Sequence, residues 1–186
     1  MDIRTKDASG EWTTSHALPN PESGIYLIHF HPLGSDIYEK RRLNTPNEHV
    51  IVDGECVVKT GKFTAGLIGR LTSISVGYTY HWKYRGELYP TASPRTYSPC
   101  FEEVATVYLL ADLSAYSNDI VALVEMYIRT FIDATYSEEL QRQEPGGRTE
   151  YRNCDNLETG IDNLVNECEQ ALNDFLNCPE VQRLAG

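Results

Sequence analysis

The chain has 186 residues, of which 41% are hydrophobic and 23% are charged, and its formal net charge is −11. This composition is typical of a soluble globular protein with one compact domain. The longest apolar stretch, residues 104–113, is too short to cross a bilayer, and the charged first residues lack the apolar core of a signal peptide. The sequence therefore predicts no membrane partner.

Cysteine content and charge distribution bear on the compartment and on the partner. The five cysteines contain no C-x-x-C pair, so reduced thiols in a cytoplasmic protein are the simplest interpretation. Charged side chains sum to −2 over residues 1–35, +3 over residues 36–95 and −12 over residues 96–186. A nucleic-acid partner usually leaves a basic footprint, and only the middle third supplies one. The acidic end is interpreted as a solvated helix face.

The first third of the chain predicts an arm and two strands. Residues 1–23 are rich in Gly, Pro, Ser and Asn and predict an irregular arm. A strand is predicted over residues 24–32 and a polar connection over residues 35–49. Residues 49–59 predict a second stretch of strand, interrupted by an Asp-Gly dipeptide. That dipeptide fits either a tight turn or an irregularity in one long strand.

The middle of the chain predicts a short helix, a loop and a buried strand. The helix is expected over residues 63–74, although two glycines weaken it. An extended segment dense in Tyr, Trp, His and Arg follows over residues 77–90, and three prolines then predict a loop over residues 90–99. The apolar run at residues 104–113 is continuous enough for a central strand.

The last third predicts two amphipathic helices. Residues 118–134 repeat apolar side chains at the helical period, with Asn118 as the N-cap. Residues 155–177 carry the strongest amphipathic pattern in the chain, and Pro179 is expected to end that helix. Strands and helices in this order predict an α+β fold in which helices cover a small sheet.

Several short motifs occur in a fixed order along these elements. Together they resemble the GIY-YIG nuclease superfamily, in particular the branch whose second motif reads V-K-I-G-K-T. The pieces that carry the resemblance are G-I-Y at residues 24–26, V-K-T-G-K at 58–62, Arg70 on the next helix, L-L-A-D-L at 109–113, A-L-V-E-M-Y-I-R-T-F at 122–131 and G-G-R-T-E-Y at 146–151.

The resemblance implies a particular architecture. It predicts a small antiparallel three-stranded sheet flanked by helices, with inserted loops and a C-terminal amphipathic helix. The N-terminal arm would occupy residues 1–23, and the nuclease domain would span residues 24–153 with an insertion at about 77–99. The helix in residues 154–186 would pack on the same domain. It caps the sheet or forms the surface of a homodimer.

The resemblance also implies the catalytic residues. Cutting a phosphodiester requires an activated water, counter-charge for the transition state and help for the leaving oxygen. Tyr26 is the candidate general base or the residue that orients the water, whereas the alternative is a packed strand tyrosine. Arg70 would hold the phosphate through its fork, or else be a solvated helical arginine. Lys59 follows an apolar run, so its head is expected to reach a cleft.

Glu125 is the candidate metal ligand. It lies at the border of the apolar face of its helix, where a carboxylate suits Mg²⁺ (or Mn²⁺), a cation that needs only one or two protein carboxylates. The alternative is a rim glutamate paired with Arg129 at the i, i+4 spacing.

Further residues are candidates for DNA contact. Lys62 would touch the backbone of the DNA near the cut, and Asn153 would help to position the phosphate. Aromatic and basic side chains that alternate can stack on bases and reach phosphates. The alternative is an ordinary aromatic loop. The residues in this segment are His81, Trp82, Lys83 and Arg85.

The predicted function is therefore a divalent-metal-dependent endonuclease acting on DNA, restriction-like or associated with a phage or mobile element. The overall acidity of the chain and three departures from the family pattern favour the alternative, a catalytically degenerate module that binds nucleic acid or protein. Phe63 stands in place of Thr or Ser, Arg70 is shifted by one residue, and Ile128 replaces a histidine. Because one such site cuts one strand, double-strand cleavage would need a homodimer or successive nicks.

Overall fold

A computed structural model describes the chain in ten stretches. They are residues 2–15, 19–30, 38–42, 48–51, 57–76, 80–84, 87–89, 105–143, 150–152 and 160–185. They contain eleven strands and four helices. The strands are β1 (Asp2–Lys6), β2 (Trp12–Thr14), β3 (Gly24–Phe30), β4 (Tyr38–Arg42), β5 (Glu48–Ile51), β6 (Val57–Phe63), β7 (Tyr80–Tyr84), β8 (Glu87–Tyr89), β9 (Ala105–Asp112), β10 (Gln141–Gln143) and β11 (Glu150–Arg152). The helices are α1 (Leu67–Val76), α2 (Asn118–Thr135), α3 (Gly160–Leu176) and α4 (Pro179–Ala185).

The fold is α+β, as predicted, but the sheet is not the expected three-stranded antiparallel one. A seven-stranded sheet has the order β10-β11-β6-β3-β9-β1-β2, and a four-stranded sheet has the order β5-β4-β7-β8. The antiparallel trio β6-β3-β9 forms the middle of the larger sheet. A three-stranded sheet would leave the outer backbone groups of β6 and β9 unpaired. Here β11 pairs with β6 and β1 pairs with β9. Because β1 runs parallel to β9, the sheet is mixed.

Residues 1–23 were expected to be an irregular arm, and this expectation is wrong. β1 pairs with β9 in the register Asp2↔Thr106, and β2 folds back antiparallel onto β1. A turn closed by Asp7 joins them, because its Oδ1 accepts hydrogen bonds from the backbone N–H groups of Ser9 and Glu11. Most side chains of β1 and β2 are polar, so the sheet partners rather than an apolar pattern stabilise these strands.

The expected strand over residues 49–59 is divided between the two sheets. β5 pairs with β4, whereas β6 lies between β3 and β11, so the segment is not one long strand. The Asp-Gly dipeptide lies outside the described residues. The polar connection at 35–49 contains β4 and the start of β5, and the extended aromatic segment forms β7 and β8.

The helices follow the apolar periodicity closely. α2 matches its predicted range, but Ser117 is the N-cap instead of Asn118, because the Ser117 hydroxyl accepts a hydrogen bond from the backbone N–H of Ile120. α1 begins later than predicted, since Phe63 is still the last residue of β6. Pro179 opens the short α4, a position that proline favours. Within the described residues, no helix is long and apolar enough to cross a membrane.

The main core lies between the seven-stranded sheet and helices α2 and α3. Alternation along β3 directs Ile25 and Leu27 into this core and Tyr26 and Ile28 to the opposite face. The rings of Tyr127 on α2 and Phe175 on α3 stack at 4.0 Å between centroids. Cys168 is free and buried in the same core, where burial raises the pKa of its thiol and keeps it unreactive.

Two glycines let β3 and β6 pack against aromatic rings on the opposite face. Gly61 pairs with Tyr26, and a Cβ at residue 61 would lie 2.5 Å from the tyrosine hydroxyl oxygen. Gly24 pairs with Phe63, and a Cβ there would lie 2.2 Å from the carbonyl oxygen of Ala111. The glycines of the G-I-Y and V-K-T-G-K motifs are therefore required for packing, whatever the protein does.

We expect Gly61→Ala to destabilise the protein by about 1–3 kcal/mol, because the added methyl group displaces the buried Tyr26 ring. Gly69→Ala is the matched control. Apart from the backbone of its own helix α1, no atom of the described residues lies within 4 Å of a Cβ at residue 69, so that change should stabilise by about 0.5–1 kcal/mol. Urea unfolding of both variants measures the difference. Equal stability of the two would contradict the tight contact at Gly61.

Candidate functional site

A cleft opens where the end of β6, the start of α1 and the middle of α2 meet. Its cavity has a volume of about 520 Å³. Three of its lining side chains carry charge, two positive and one negative. The lining residues are Lys62, Phe63, Thr64, Ala65, Gly66, Gly69, Arg70 and Glu125. The cleft therefore brings together two cations and a carboxylate that the sequence places on three different elements.

Arg70 connects this cleft to a buried hydroxyl. Its Nε donates a hydrogen bond of 3.3 Å to the hydroxyl oxygen of Tyr26, 44 residues away in the sequence. The side chain of Tyr26 is fully buried on β3, beside Gly61. α1 thus covers the face of the sheet opposite the main core. Arg70 reaches both the cavity and the tyrosine, so the shift of one residue in the motif does not separate the two side chains.

A short segment before β3 fixes the start of α1. The side-chain Oδ1 of Asn20 accepts a 3.0 Å hydrogen bond from the backbone N–H of Ile68, and the carbonyl of Glu22 accepts one of 2.8 Å from Gly66. Gly66 has φ +88°, which bends the chain into the helix. Sequence reasoning missed Asn20, because the group that it caps lies 48 residues away and no local pattern signals the contact.

Glu125 and Lys62 form an ion pair across the cleft. The distance from Lys62 Nζ to Glu125 Oε2 is 3.0 Å, and the two side chains are 37% and 22% exposed. Strand alternation places Lys62 on the face of β6 that packs against α2, which carries Glu125. One partner of Glu125 is therefore a lysine that lies far away in the sequence.

Lys59 lies elsewhere. Its side chain is only 3% exposed, and its register partner Ile28 places it on the Tyr26 face of the sheet. It is not among the residues that line the cavity. Two strand residues that share a motif thus have different environments: Lys59 is buried in the sheet layer, and Lys62 reaches the open cleft.

The cleft offers oxygen donors of the kind that a divalent metal binds. A hard cation such as Mg²⁺ needs one or two protein carboxylates and keeps several waters. Glu125 supplies one carboxylate beside a cavity with room for water, and Thr64 is another oxygen-bearing residue of the same lining. These residues fit such an ion once Lys62 leaves Glu125. Within the described stretches, no three His, Cys, Asp or Glu side chains form a metal-binding group.

The expected DNA-contact segment lies in the four-stranded sheet. His81, Trp82 and Lys83 belong to β7, whose backbone register sets Lys40 of β4 opposite Trp82 and Arg41 opposite His81. The sheet therefore brings a basic strand beside an aromatic one. Arg85 and Asn153 lie outside the described residues.

The last motif has a structural role in the described residues. Tyr151 on β11 donates a hydrogen bond of 3.1 Å from its hydroxyl to Asp133 Oδ1 on α2. Arg142 also contacts Asp133, at 2.5 Å. Burial raises the pKa of Tyr151, and Asp133 raises it further, so the phenol stays protonated. Tyr151 thus connects β11 to α2, the helix that carries Glu125.

No protein-family model, curated protein or solved structure matches this chain.

Proposed function

We propose that the protein is a divalent-metal-dependent endonuclease of the GIY-YIG type that hydrolyses DNA phosphodiester bonds. One observation carries the proposal: three side chains that the motifs single out line one cleft, and one of them bonds to a fourth. Lys62, Arg70 and Glu125 line the cleft, and Arg70 donates a hydrogen bond to the buried Tyr26.

The charges of the cleft suit a phosphate. Arg70 offers a planar fork that matches two phosphate oxygens, and Lys62 offers a mobile ammonium at the rim. A cavity of about 520 Å³ accommodates a phosphodiester and water. Contacts with the flanking DNA are assigned to His81, Trp82, Lys83, Arg85 and Asn153, in line with their aromatic and polar chemistry.

The chain's own groups supply most of what hydrolysis requires. A water oxygen bonds to phosphorus and one phosphorus–oxygen ester bond breaks, so negative charge grows on the phosphate oxygens. Arg70 and Lys62 would neutralise that charge. When Arg70 turns towards the phosphate, the Tyr26 hydroxyl behind it would orient the water or take its proton. Lys59 would add positive potential from within the sheet. Mg²⁺ or Mn²⁺, held by Glu125, would act as a Lewis acid.

The runner-up is a catalytically degenerate module of the same fold that binds nucleic acid or protein. The ion pair between Lys62 and Glu125 favours it, because a carboxylate neutralised by lysine is a poorer metal ligand. A DNA-cleavage assay on the wild type and on a Glu125 variant distinguishes the nuclease from this module.

We expect purified protein to cut supercoiled plasmid with Mg²⁺ or Mn²⁺ and to lose at least 100-fold in rate on Glu125→Gln, because the amide cannot hold the cation. Glu169→Gln is the matched control. Glu169 also forms an ion pair with a lysine, Lys6, but on α3 and away from the cleft.

Gel assays that separate nicked from linear plasmid measure the rate and show whether one or two strands are cut. Binding of DNA without cutting by the wild type, under all metals tried, would contradict the nuclease and support the degenerate module. Equal losses in Glu125→Gln and Glu169→Gln would contradict the assignment of the metal to the cleft.

A further inference from the structure

We propose that Lys62 is a positioning residue that holds Glu125 in the cleft and transfers to a DNA phosphate when a divalent cation binds. This inference rests on the proposed function and adds to it a coupling between substrate and metal. It starts from the ion pair of 3.0 Å between the two side chains, which both line the cavity that also contains Arg70.

A lysine and a divalent cation cannot share Glu125 at low cost. Both seek the carboxylate oxygens, and two positive charges a few ångströms apart repel each other. The ammonium of Lys62 neutralises the negative charge of Glu125 and holds its carboxylate at the cavity in the absence of a metal. The lysine thus lowers the affinity of the empty enzyme for metal.

A phosphate reverses this balance. Lys62 is 37% exposed, and its flexible stem allows the ammonium to leave Glu125 for an anion in the cleft. Once the ammonium contacts a phosphate oxygen, Glu125 is available to a cation. By linkage, DNA then tightens metal binding and metal tightens DNA binding by the same factor. The arrangement with metal on Glu125 and phosphate on Lys62 forms only when metal and DNA are both bound.

The first experiment measures Mn²⁺ binding to the full chain, from the electron paramagnetic resonance signal of free Mn²⁺, without DNA. We expect Lys62→Met to bind Mn²⁺ about three- to tenfold more tightly than the wild type, because the competing ammonium is gone. Lys6→Met should leave the affinity unchanged. That lysine pairs with Glu169 at similar exposure, 29% and 18%, away from the cleft.

The second experiment measures binding of a fluorescent 30-base-pair duplex in EDTA, where no metal contributes. We expect Glu125→Gln to bind the duplex about fivefold more tightly than the wild type, because Lys62 is released to the phosphates. Lys62→Met should bind more weakly, with a smaller dependence on salt. Glu169→Gln serves as the control for loss of one negative charge.

The outcomes distinguish this inference from the proposed function. If Glu125→Gln weakens Mn²⁺ binding but Lys62→Met does not strengthen it, the metal site stands and the role of Lys62 is wrong. If Glu125→Gln leaves Mn²⁺ binding unchanged, both ideas fail. Equal duplex affinity of Glu125→Gln and Glu169→Gln would also overturn the transfer of Lys62, because the gain would then reflect net charge alone.

Discussion

Arg70→Ala should lower the rate of DNA cleavage by about 100- to 1,000-fold, the usual cost of removing one hydrogen-bond donor that stabilises the transition state. Arg70 is the side chain that lines the cleft and also bonds to the buried Tyr26, so its loss removes phosphate binding and leaves the hydroxyl without that donor. Arg70→Lys should recover only part of the rate, because an ammonium cannot bind two oxygens in parallel.

Single-turnover cleavage with excess protein measures the chemical step without product release. Arg4→Ala is the control: Arg4 lies over the ring of Tyr108, 5.7 Å from its centroid, and does not line the cleft. Circular dichroism and urea unfolding establish that each variant folds. Full activity of Arg70→Ala would remove Arg70 from the mechanism and leave its hydrogen bond to Tyr26 as a packing contact.

Local patterns predicted the elements that depend on local order. α2 repeats apolar side chains at the helical period over its whole length, and β9 is a continuous apolar run, so both were found within one residue of their ends. Long-range pairing decided the rest. β1 carries only one buried hydrophobic residue, Ile3, and is a strand because β9 lies beside it. A prediction from neighbouring residues could not find this strand, because its partner β9 lies about a hundred residues further along the chain.

The site divides in the same way. The motifs singled out Arg70, Tyr26 and Glu125. In the structure Arg70 bonds to Tyr26, and Arg70 and Glu125 line the same cleft. The ion pair of Glu125 with Lys62 was not predicted, because helix spacing points only to the neighbouring Arg129, whereas Lys62 lies on a strand. Strand alternation in β6 separates Lys62 from Lys59, and that separation required the strand register.

The burial of Tyr26 leads to a sharper expectation for its hydroxyl. Because the side chain is fully buried and accepts a hydrogen bond from Arg70, we expect it to act mainly through that arginine. Tyr26→Phe should then slow cleavage by about 10- to 100-fold with little change in DNA affinity. Tyr136→Phe is the control, since that buried tyrosine also loses a hydrogen bond, to Glu167, but neither residue lines the cleft.

A double-mutant cycle with Arg70 decides between the two roles of the hydroxyl. If Tyr26 only holds the guanidinium, Tyr26→Phe should cost nothing further in the Arg70→Ala background, because residues that act as a unit are not additive. Single-turnover rates of the two single variants, the double variant and the wild type give the coupling. A further loss of tenfold or more in the double variant would contradict this expectation and assign the Tyr26 hydroxyl to the attacking water itself, as the general base.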